Sequence, residues 1–294
     1  MAGMPIQLAL DFLWAFSALA LIALSLGLVL GELKVVNIAQ GDMVMIGAYC
    51  MYAMRDLPFP VALMASVVIG LLVGALIEIL VLRRIYPGGF IGTLLACWGI
   101  GIVVQQIVSV IFSISQKGVT APIAGTVDVL GVAYPAYRLV ASAMMLAMVL
   151  AVLFLIYRTA FGLRVRASID NAEMASLVGA SPQLMKLGVF ALATAMAVFA
   201  GALISPTLAL TPTMGIYFIG PAFFAVLIAR EGSIVGPVIG AAVVQSYFVL
   251  LKWLLPLTLA ECILFGSLIL LMIVWPNGIT WIKMGGYNGK KSKA

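Results

Sequence analysis

The sequence predicts an all-α, polytopic transmembrane helical bundle of about nine spans, with eight as the alternative. Hydrophobic residues make up 65% of the 294 residues and charged residues only 9%, whereas a soluble domain is about a quarter charged. The apolar residues also form uncharged runs, of 20 residues at Phe12–Gly31, 21 at Leu57–Ile77 and 43 at Leu187–Ala229. Each run reaches the roughly 20 residues that a helix needs to cross a bilayer. We therefore expect one transmembrane domain over residues 1–294.

The order of the spans follows from the apolar runs and from the prolines and glycines between them. Leu187–Ala229 would be about 65 Å long as one helix, so we predict two passes with a turn marked by Pro206 and Pro212. The second of these passes is short, and we count it as a crossing because a re-entrant segment would leave the basic C-terminal tail outside. The predicted spans are residues 8–30, 36–54, 60–82, 90–112, 139–157, 187–210, 216–229, 234–254 and 258–275.

The distribution of basic residues predicts an N-terminus outside and a C-terminus inside. If the loop at 158–186 is cytoplasmic, twelve lysines and arginines lie inside and four outside, as the positive-inside rule requires. The inside set is Lys34, Arg83, Arg84, Arg158, Arg164, Arg166, Lys186, Arg230, Lys283, Lys290, Lys291 and Lys293, and the outside set is Arg55, Lys117, Arg138 and Lys252. A basic cytoplasmic tail at about 276–294 completes this arrangement.

Several function classes find no support in the residues. The chain has no histidine, and Cys50, Cys97 and Cys262 lie in apolar segments without paired spacing, which is typical of small core residues rather than of a disulfide or metal site. The net charge of +6 comes without a basic cluster interleaved with aromatics, so we expect no nucleic-acid partner. The tail GGYNGKKS lacks the complete phosphate-loop pattern. We predict no metal, no cofactor, no catalytic site and no ATP hydrolysis by this chain itself.

Polar residues inside the second apolar segment are the first functional candidates. Asn37, Gln40 and Gly41 begin a stripe of polar and small residues on one helix face, and Asp42 lies beside it. A carboxylate at mid-membrane costs about 2.5–3.5 kcal/mol on insertion scales. One interpretation is a broken helix whose backbone lines a cavity. The other is structural, with Asp42 capping a half-helix that begins at Met43 while the two amides bind neighbouring helices.

Other polar residues within the spans have simpler interpretations. Glu78 lies near the inner end of its span, where we expect snorkelling or pairing with Arg83 or Arg84. Gln105 and Gln106 serve either as hydrogen bonds between helices or as lining of a pathway.

Glycines at four-residue spacing predict close approach of helix backbones, because small residues drive packing in lipid. The pattern occurs in three places. These are Gly27 with Gly31, Gly70 with Gly74, and the series Gly232, Gly236 and Gly240.

The longest internal loop, at about 158–186, is predicted to carry a short helix from Asp170 to Gly179. Asp170 is a suitable N-cap and Glu173 completes a capping box, while Gly179 suits a helix stop. Ser181 and Pro182 then begin the next helix. A helix this short needs a packing partner, so it either rests on the bilayer surface or docks on a soluble motor subunit. Its small-residue face consists of Ala172, Ala175, Ser176 and Gly179.

Three stretches together resemble a known family. VVNIAQGDMVMIGAY, GLRVRASIDNAEMASLVGAS and AVLIAREGSIVGPVIGA occur in this order and are similar to the LivH-type permeases of branched-chain amino acid ABC transporters. The likeness extends from about Phe12 to Gly278. Two departures are Gln40, where the family commonly has histidine, and Arg230-Glu231, where it has two glycines.

The resemblance implies a permease subunit in the bacterial inner membrane, surrounded by lipid and importing branched-chain or other hydrophobic amino acids. Relatives that carry urea or short amides leave the substrate open. The implied partners are a second related permease, two cytoplasmic ATP-binding subunits and a periplasmic or extracellular substrate-binding protein. The ATPase-contacting helix falls on Asp170–Gly179. The expected pathway residues are Asn37, Gln40, Gly41, Asp42, Gln105 and Gln106. The alternative from another class is an autonomous secondary transporter or channel, which would use the buried carboxylates as ion sites.

Overall fold

The computed structural model describes residues 3–34, 37–86, 89–177, 181–228 and 233–274. Gly179, Arg230, Glu231, Gly232 and the basic tail lie outside the described residues, and Ala172 and Glu173 are described by their backbone alone. The helices are α1 Gly3–Leu33, α2 Gln40–Ala53, α3 Phe59–Ile77, α4 Arg83–Ile85, α5 Gly89–Phe112, α6 Ala136–Arg158, α7 Ala160–Asp170, α8 Ala172–Leu177, α9 Pro182–Ile204, α10 Ile216–Ile228, α11 Gly236–Leu254 and α12 Leu257–Val274. A π-helical turn at Glu78–Leu82 joins α3 to α4, and a short 3-10 turn at Ser205–Thr207 follows α9.

The helices confirm an all-α fold built for a membrane. Within the described ranges, six helices are long and apolar enough to cross a bilayer: Met4–Leu33, Phe59–Ile85, Gly89–Phe112, Ala136–Arg158, Pro182–Thr207 and Gly236–Leu254. Ile216–Ile228 and Leu257–Leu271 are shorter apolar helices. The count of nine crossings and the sidedness of the termini stay predictions.

Helix α9 forms the centre of the bundle, and α1, α2 and α3 pack around it. Its residues from Ala193 to Ile204 are all buried, because alanine and glycine let neighbouring backbones come close. A methyl group added to Gly70 would lie 2.9 Å from the Cα atom of Ala195, and one added to Gly74 would lie 2.8 Å from the Cα atom of Ala191. The predicted close approach through Gly70 and Gly74 is therefore confirmed, with α9 as the partner helix.

The other paired glycines also lie at helix contacts. An added methyl group at Gly27 would overlap the ring of Pro237 in α11, and one at Gly31 would touch Ile169 in α7. At Gly240 it would overlap the carbonyl oxygen of Ala225 in α10. These contacts connect α1, α10 and α11 on one side of α9, whereas Gly236 is buried in the first turn of α11.

Helix α2 is a half-helix that begins beside the middle of α9. Its first residue, Gln40, donates from Nε2 to the carbonyl oxygen of Ala193 at 3.0 Å, and Ala193 is the central residue of Pro182–Ile204. Further along, methyl groups at Gly47 and Gly201 would overlap the carbonyl oxygens of Val198 and Val44. The two helices thus run parallel, and the 14 residues of α2 cover about 21 Å from the middle of the bundle to one end. The predicted helix at 36–54 is shortened at its start to Gln40.

The two ends of the bundle are marked by different elements. At the first, the hydroxyl group of Tyr134 in a β-hairpin donates to the carbonyl oxygen of Leu10 in α1 at 3.3 Å, and Arg138 pairs with Asp11 at 3.8 Å. At the second, the hydroxyl group of Ser168 in α7 donates to Glu32, near the other terminus of α1, at 2.7 Å. We call these the hairpin end and the α7 end.

The hairpin was not expected from the sequence of the loop at 113–138. Its strands are β1, Thr126–Val129, and β2, Val132–Pro135, paired antiparallel. The two turn residues, Leu130 and Gly131, have φ values of 53° and 86°, and this left-handed pair is typical of a two-residue hairpin turn. Asp128 accepts a 2.8 Å hydrogen bond from the backbone nitrogen of Gly131, which stabilises the turn.

The loop at the α7 end differs from its prediction in two respects. An additional helix, α7, occupies Ala160–Asp170, and Asp170 is its last residue rather than the N-cap of the next helix. The cap of α8 is Asn171, whose Oδ1 atom accepts from the backbone nitrogen of Met174 at 3.1 Å. The assignment of Asp170 as the cap is therefore wrong by one residue. The predicted start of α9 is confirmed, because the Ser181 hydroxyl accepts from the Leu184 nitrogen and Pro182 is the first helical residue.

The predicted pairing of Glu78 with a nearby arginine is confirmed. Glu78 is buried in the π-helical turn, and its Oε2 atom lies 3.0 Å from Nη2 of Arg83. The pair lets a carboxylate occupy an apolar helix near the α7 end without being left unpaired.

Candidate functional site

The first turns of α2 and α10 meet in the interior of the bundle. A methyl group on Gly41 would overlap the carbonyl oxygen of Gly215, and one on Gly215 would lie 2.8 Å from the backbone nitrogen of Asp42. Only residues without a side chain allow the two segments to approach this closely. The contact brings together two helix N-termini, which carry partial positive charge.

Asp42 lies in the first turn of α2 and points toward α5. Its Oδ1 atom accepts a 2.8 Å hydrogen bond from Nε2 of Gln105, and the residue is only 5% exposed. Gly101, one turn before Gln105, faces the other carboxylate oxygen, because an added methyl group there would overlap Oδ2. Three helices therefore fix this carboxylate: α2 carries it, α5 binds it and α10 packs against its backbone.

A cavity of about 130 Å³ opens at this carboxylate. Asp42 and Gln105 supply its polar side chains, and most of the other side chains that line it are apolar. Trp98, Ile102 and Ile216 also face the outside of the bundle, with exposed fractions of 56%, 52% and 59%, so the cavity opens between α5 and α10. The full lining is Ile38, Ala39, Gly41, Asp42, Trp98, Gly101, Ile102, Gln105, Gly215, Ile216 and Ile219.

Asn37 and Gln40 belong to a buried network beside the cavity rather than to its lining. Nδ2 of Asn37 donates to Oε1 of Gln40 at 2.9 Å. Nε2 of Gln40 in turn donates to the Ser25 hydroxyl and to the Ala193 carbonyl oxygen, both at 3.0 Å. Both amides are almost fully buried, so this network connects the start of α2 to α1 and α9. Their role here is to hold the half-helix in place.

The structure thus separates the predicted pathway residues into those that line the cavity and those that do not. Gly41, Asp42 and Gln105 line one cavity, while Asn37 and Gln40 support it from behind. Gln106, the residue after Gln105, is exposed on the outer face of α5 and does not line the cavity.

The structural alternative for Asp42, a helix cap, does not match the geometry. Helix α2 begins at Gln40 rather than Met43, and its N-cap residue Ala39 makes no side-chain hydrogen bond. The Asp42 carboxylate binds Gln105 on another helix. The two amides do bind neighbouring helices, as that alternative expected.

The sequence interpretation missed the cavity residues on α5 and α10. None of Trp98, Gly101 and Gly215 was among the predicted site residues. The available signal was that Gly101 and Gln105 are four residues apart, which puts them on one face of α5. No spacing within the chain predicts the contact between Gly41 and Gly215, because 174 positions separate them.

The predicted ATPase-contacting helix is small and partly turned inward. Ala175 is buried, with 3% exposure, whereas Met174 is 63% exposed. Asp170 and Ser176 are exposed as well. The outward side of α8 therefore includes Met174 and Ser176, whereas Ala175 packs against the chain itself.

Comparison with known proteins identifies the family. The high-affinity branched-chain amino acid transport system permease protein LivH of Salmonella typhimurium is 26% identical over 282 residues, covering 90% of this chain and 91% of the relative. LivH of Escherichia coli strain K12 shows the same identity and coverage. No solved structure matches the chain. Residues 8–273 match the family described as the permease component of the branched-chain amino acid transport system, and the chain belongs to this family of multi-pass membrane transport components.

Proposed function

We propose that this chain is the transmembrane permease subunit of an ABC importer for branched-chain or other hydrophobic amino acids. The observation that carries the proposal is the cavity at Asp42 and Gln105, placed where two helices begin in the middle of the bundle. Transporters place binding sites at such interrupted helices, because the broken backbone is tolerated only where it lines a cavity. The apolar side chains of Trp98, Ile102 and Ile219 suit a hydrophobic side chain.

The transport path passes along the opening between α5 and α10, which a second, related permease closes. The outer face of α5 supports this arrangement, because most of its large apolar residues are exposed. Gly92, Gly99 and Gln106 recur on that helix at seven-residue spacing, and small and polar side chains favour helix packing in lipid.

The hairpin end faces the outside and the α7 end faces the cytoplasm of a bacterial inner membrane, with nine crossings in all. Described basic residues support this orientation. At the hairpin end lie Arg55, Lys117, Arg138 and Lys252, the last of them in the final turn of α11. At the α7 end lie Lys34, Arg83, Arg84, Arg158, Arg164, Arg166 and Lys186. A substrate-binding protein would then deliver amino acids at the hairpin end.

Two ATP-binding subunits drive the cycle by docking at α7 and α8. The exposed side chains of Met174 and Leu163 support this role, because apolar side chains at an aqueous surface favour a protein contact. Movement of α7 reaches the interior through the hydrogen bond from Ser168 to Glu32 in α1. Glu32 lies near the end of α1, five residues before Asn37 and the start of the buried network.

Reconstitution in liposomes tests the proposal. Uptake of labelled L-leucine should require the complete assembly of this chain, a second permease, the ATP-binding subunits, the binding protein and ATP. A liposome that contains this chain alone should show none. Gradient-driven uptake by the chain alone would support an autonomous transporter and contradict the proposal, and ATP-dependent uptake of urea but not leucine would contradict the amino-acid assignment.

A further inference from the structure

The carboxylate of Asp42 is buried with its charge unbalanced. The two ion pairs among the described residues join Glu78 to Arg83 and Asp11 to Arg138, so neither includes Asp42. Gln105 is neutral, and its amide donates to Oδ1 only. A buried carboxylate with one hydrogen bond is costly unless a positive group completes the site.

Some groups at the site offset part of this cost for the charged form of the carboxylate. Asp42 is in the first turn of α2, and the start of α10 lies against its backbone nitrogen. The N-terminus of α2 therefore places partial positive charge close to the carboxylate. The Gln105 amide adds a donor. These groups stabilise an anion without neutralising it, which leaves room for one cation.

Two acceptor atoms remain available at the cavity. Oδ2 of Asp42 makes no hydrogen bond among the described residues, and Asp42 lines the cavity. Because an ionised carboxylate only accepts, the Gln105 amide must turn its nitrogen toward Asp42, so its Oε1 atom points elsewhere. This oxygen too has no hydrogen-bond partner within the described ranges.

The shape and lining of the cavity select among cations. An ammonium group has three donors and can bind both free oxygens while its substituent lies against Trp98, Ile102 and Ile219. The volume of about 130 Å³ is close to that of the engineered apolar cavities, about 150 Å³, which hold one benzene molecule. A small branched alkyl group fits such a space.

We infer that Asp42 and Gln105 bind the protonated amino group of the transported molecule, so that the cavity selects substrates with a primary ammonium and a small apolar side chain over neutral amides such as urea. This inference rests on the proposed function, in which the cavity lies on the transport path. The inference names Asp42 and Gln105 as the two side chains that make the transporter prefer an amino acid.

Trp98 provides a direct readout, because its indole lines the cavity. The full chain in lipid nanodiscs is titrated with 3-methylbutylammonium chloride, and tryptophan fluorescence is recorded. The neutral probe 3-methylbutanamide has the same branched skeleton, and urea, sodium chloride and choline chloride are further probes. Trp98→Phe identifies the signal that belongs to this residue among the five tryptophans of the chain.

We expect a saturable change with 3-methylbutylammonium and a much weaker response to the amide and to urea. Asp42→Asn should raise the dissociation constant of the ammonium probe by about tenfold or more, since charge-assisted hydrogen bonds are roughly twice as strong as neutral ones. The same substitution should leave the response to 3-methylbutanamide unchanged. Glu261→Gln, at an exposed carboxylate of α12, is the matched control and should bind like the parent.

Four results would overturn the inference: no Trp98 response to the ammonium probe, equal binding of ammonium and amide, no effect of Asp42→Asn, or the same Asp42-dependent response to sodium or choline alone. Failure of the ammonium assignment can be distinguished from failure of the proposed function. ATP-dependent leucine uptake without an Asp42-dependent Trp98 signal would remove the ammonium assignment alone. An Asp42-dependent signal with ATP-independent uptake would support the ammonium assignment and remove the proposed function.

Discussion

At the scale of single residues, glycines decide where the polar groups of this bundle can lie. Gly101 leaves the space that Oδ2 of Asp42 occupies, while Gly41 and Gly215 let two helix starts meet. Gly266, on the exposed side of α12, has no atom within 4 Å of an added methyl group. The same residue type thus has a packing role at one position and none within this chain at the other.

This difference gives a matched pair of substitutions. Gly101→Ala should displace the Asp42 carboxylate from Gln105 and lower ATP-dependent uptake by about tenfold, because a hydrogen bond to a charged group contributes roughly 1.5–3 kcal/mol. Gly266→Ala should leave the folding of the chain and the Trp98 environment unchanged. Uptake in proteoliposomes and thermal unfolding of the purified chain are the measurements. Equal uptake in the two variants would mean that the placement of the Asp42 carboxylate does not affect transport.

Single residues also show what a sequence can and cannot predict. The polar stripe at Asn37 and Gln40, with Asp42 beside it, led to a broken helix as one of two interpretations, because a carboxylate and two amides conflict with an apolar span. Their separate roles were not predictable, since the partners Ser25, Gln105 and Ala193 come from three other helices. Periodicity gives the face on which a residue lies but not the helix opposite it.

At the scale of elements, α7 connects the surface of the bundle to its interior. Ser168 donates to the buried Glu32 at 2.7 Å, and Ile169 packs on Gly31 of α1. The sequence predicted a short helix from Asp170 to Gly179 but not α7. The capping residue was misplaced by one position, because Asp170 and Asn171 are both good caps, and only the structure distinguishes them.

The link between α7 and α1 can be tested by removing one hydroxyl. Ser168→Ala should lower the amount of leucine transported per ATP hydrolysed, since α7 would then move without moving α1. Ser246→Ala is the control, because that exposed hydroxyl donates only to the carbonyl oxygen of Ala242 in its own helix. Transport and ATPase rates are measured on the same proteoliposomes. An unchanged ratio in Ser168→Ala would exclude this hydrogen bond as the link.

The outward face of α8 predicts where a partner binds. Met174→Asp should reduce co-purification with the ATP-binding subunits about tenfold or more, because an exposed apolar anchor becomes charged in the contact. Membrane insertion should stay intact. Leu130→Asp, at the exposed tip of the hairpin, makes the same change at the opposite end and should co-purify normally. Normal co-purification of Met174→Asp would contradict docking at this face.

At the scale of the whole molecule, the bundle surrounds one central helix and leaves α5 mostly uncovered. Apolar composition and run lengths predicted the fold class, because no soluble core could hold so many hydrophobic residues. They did not predict that α2 begins beside the middle of α9, nor that α10 begins against the first turn of α2. Those positions depend on contacts between segments far apart in the chain, and they are what creates the cavity.

The central claim is that the cavity at Asp42 lies on the path of the transported amino acid. The most direct measurement is ATP-dependent uptake of labelled L-leucine by the complete reconstituted transporter that carries Asp42→Asn, compared with Glu261→Gln. We predict that Asp42→Asn lowers uptake by about tenfold or more, with unchanged assembly and thermal stability, while Glu261→Gln transports like the parent. Equal uptake by the two variants would contradict the claim.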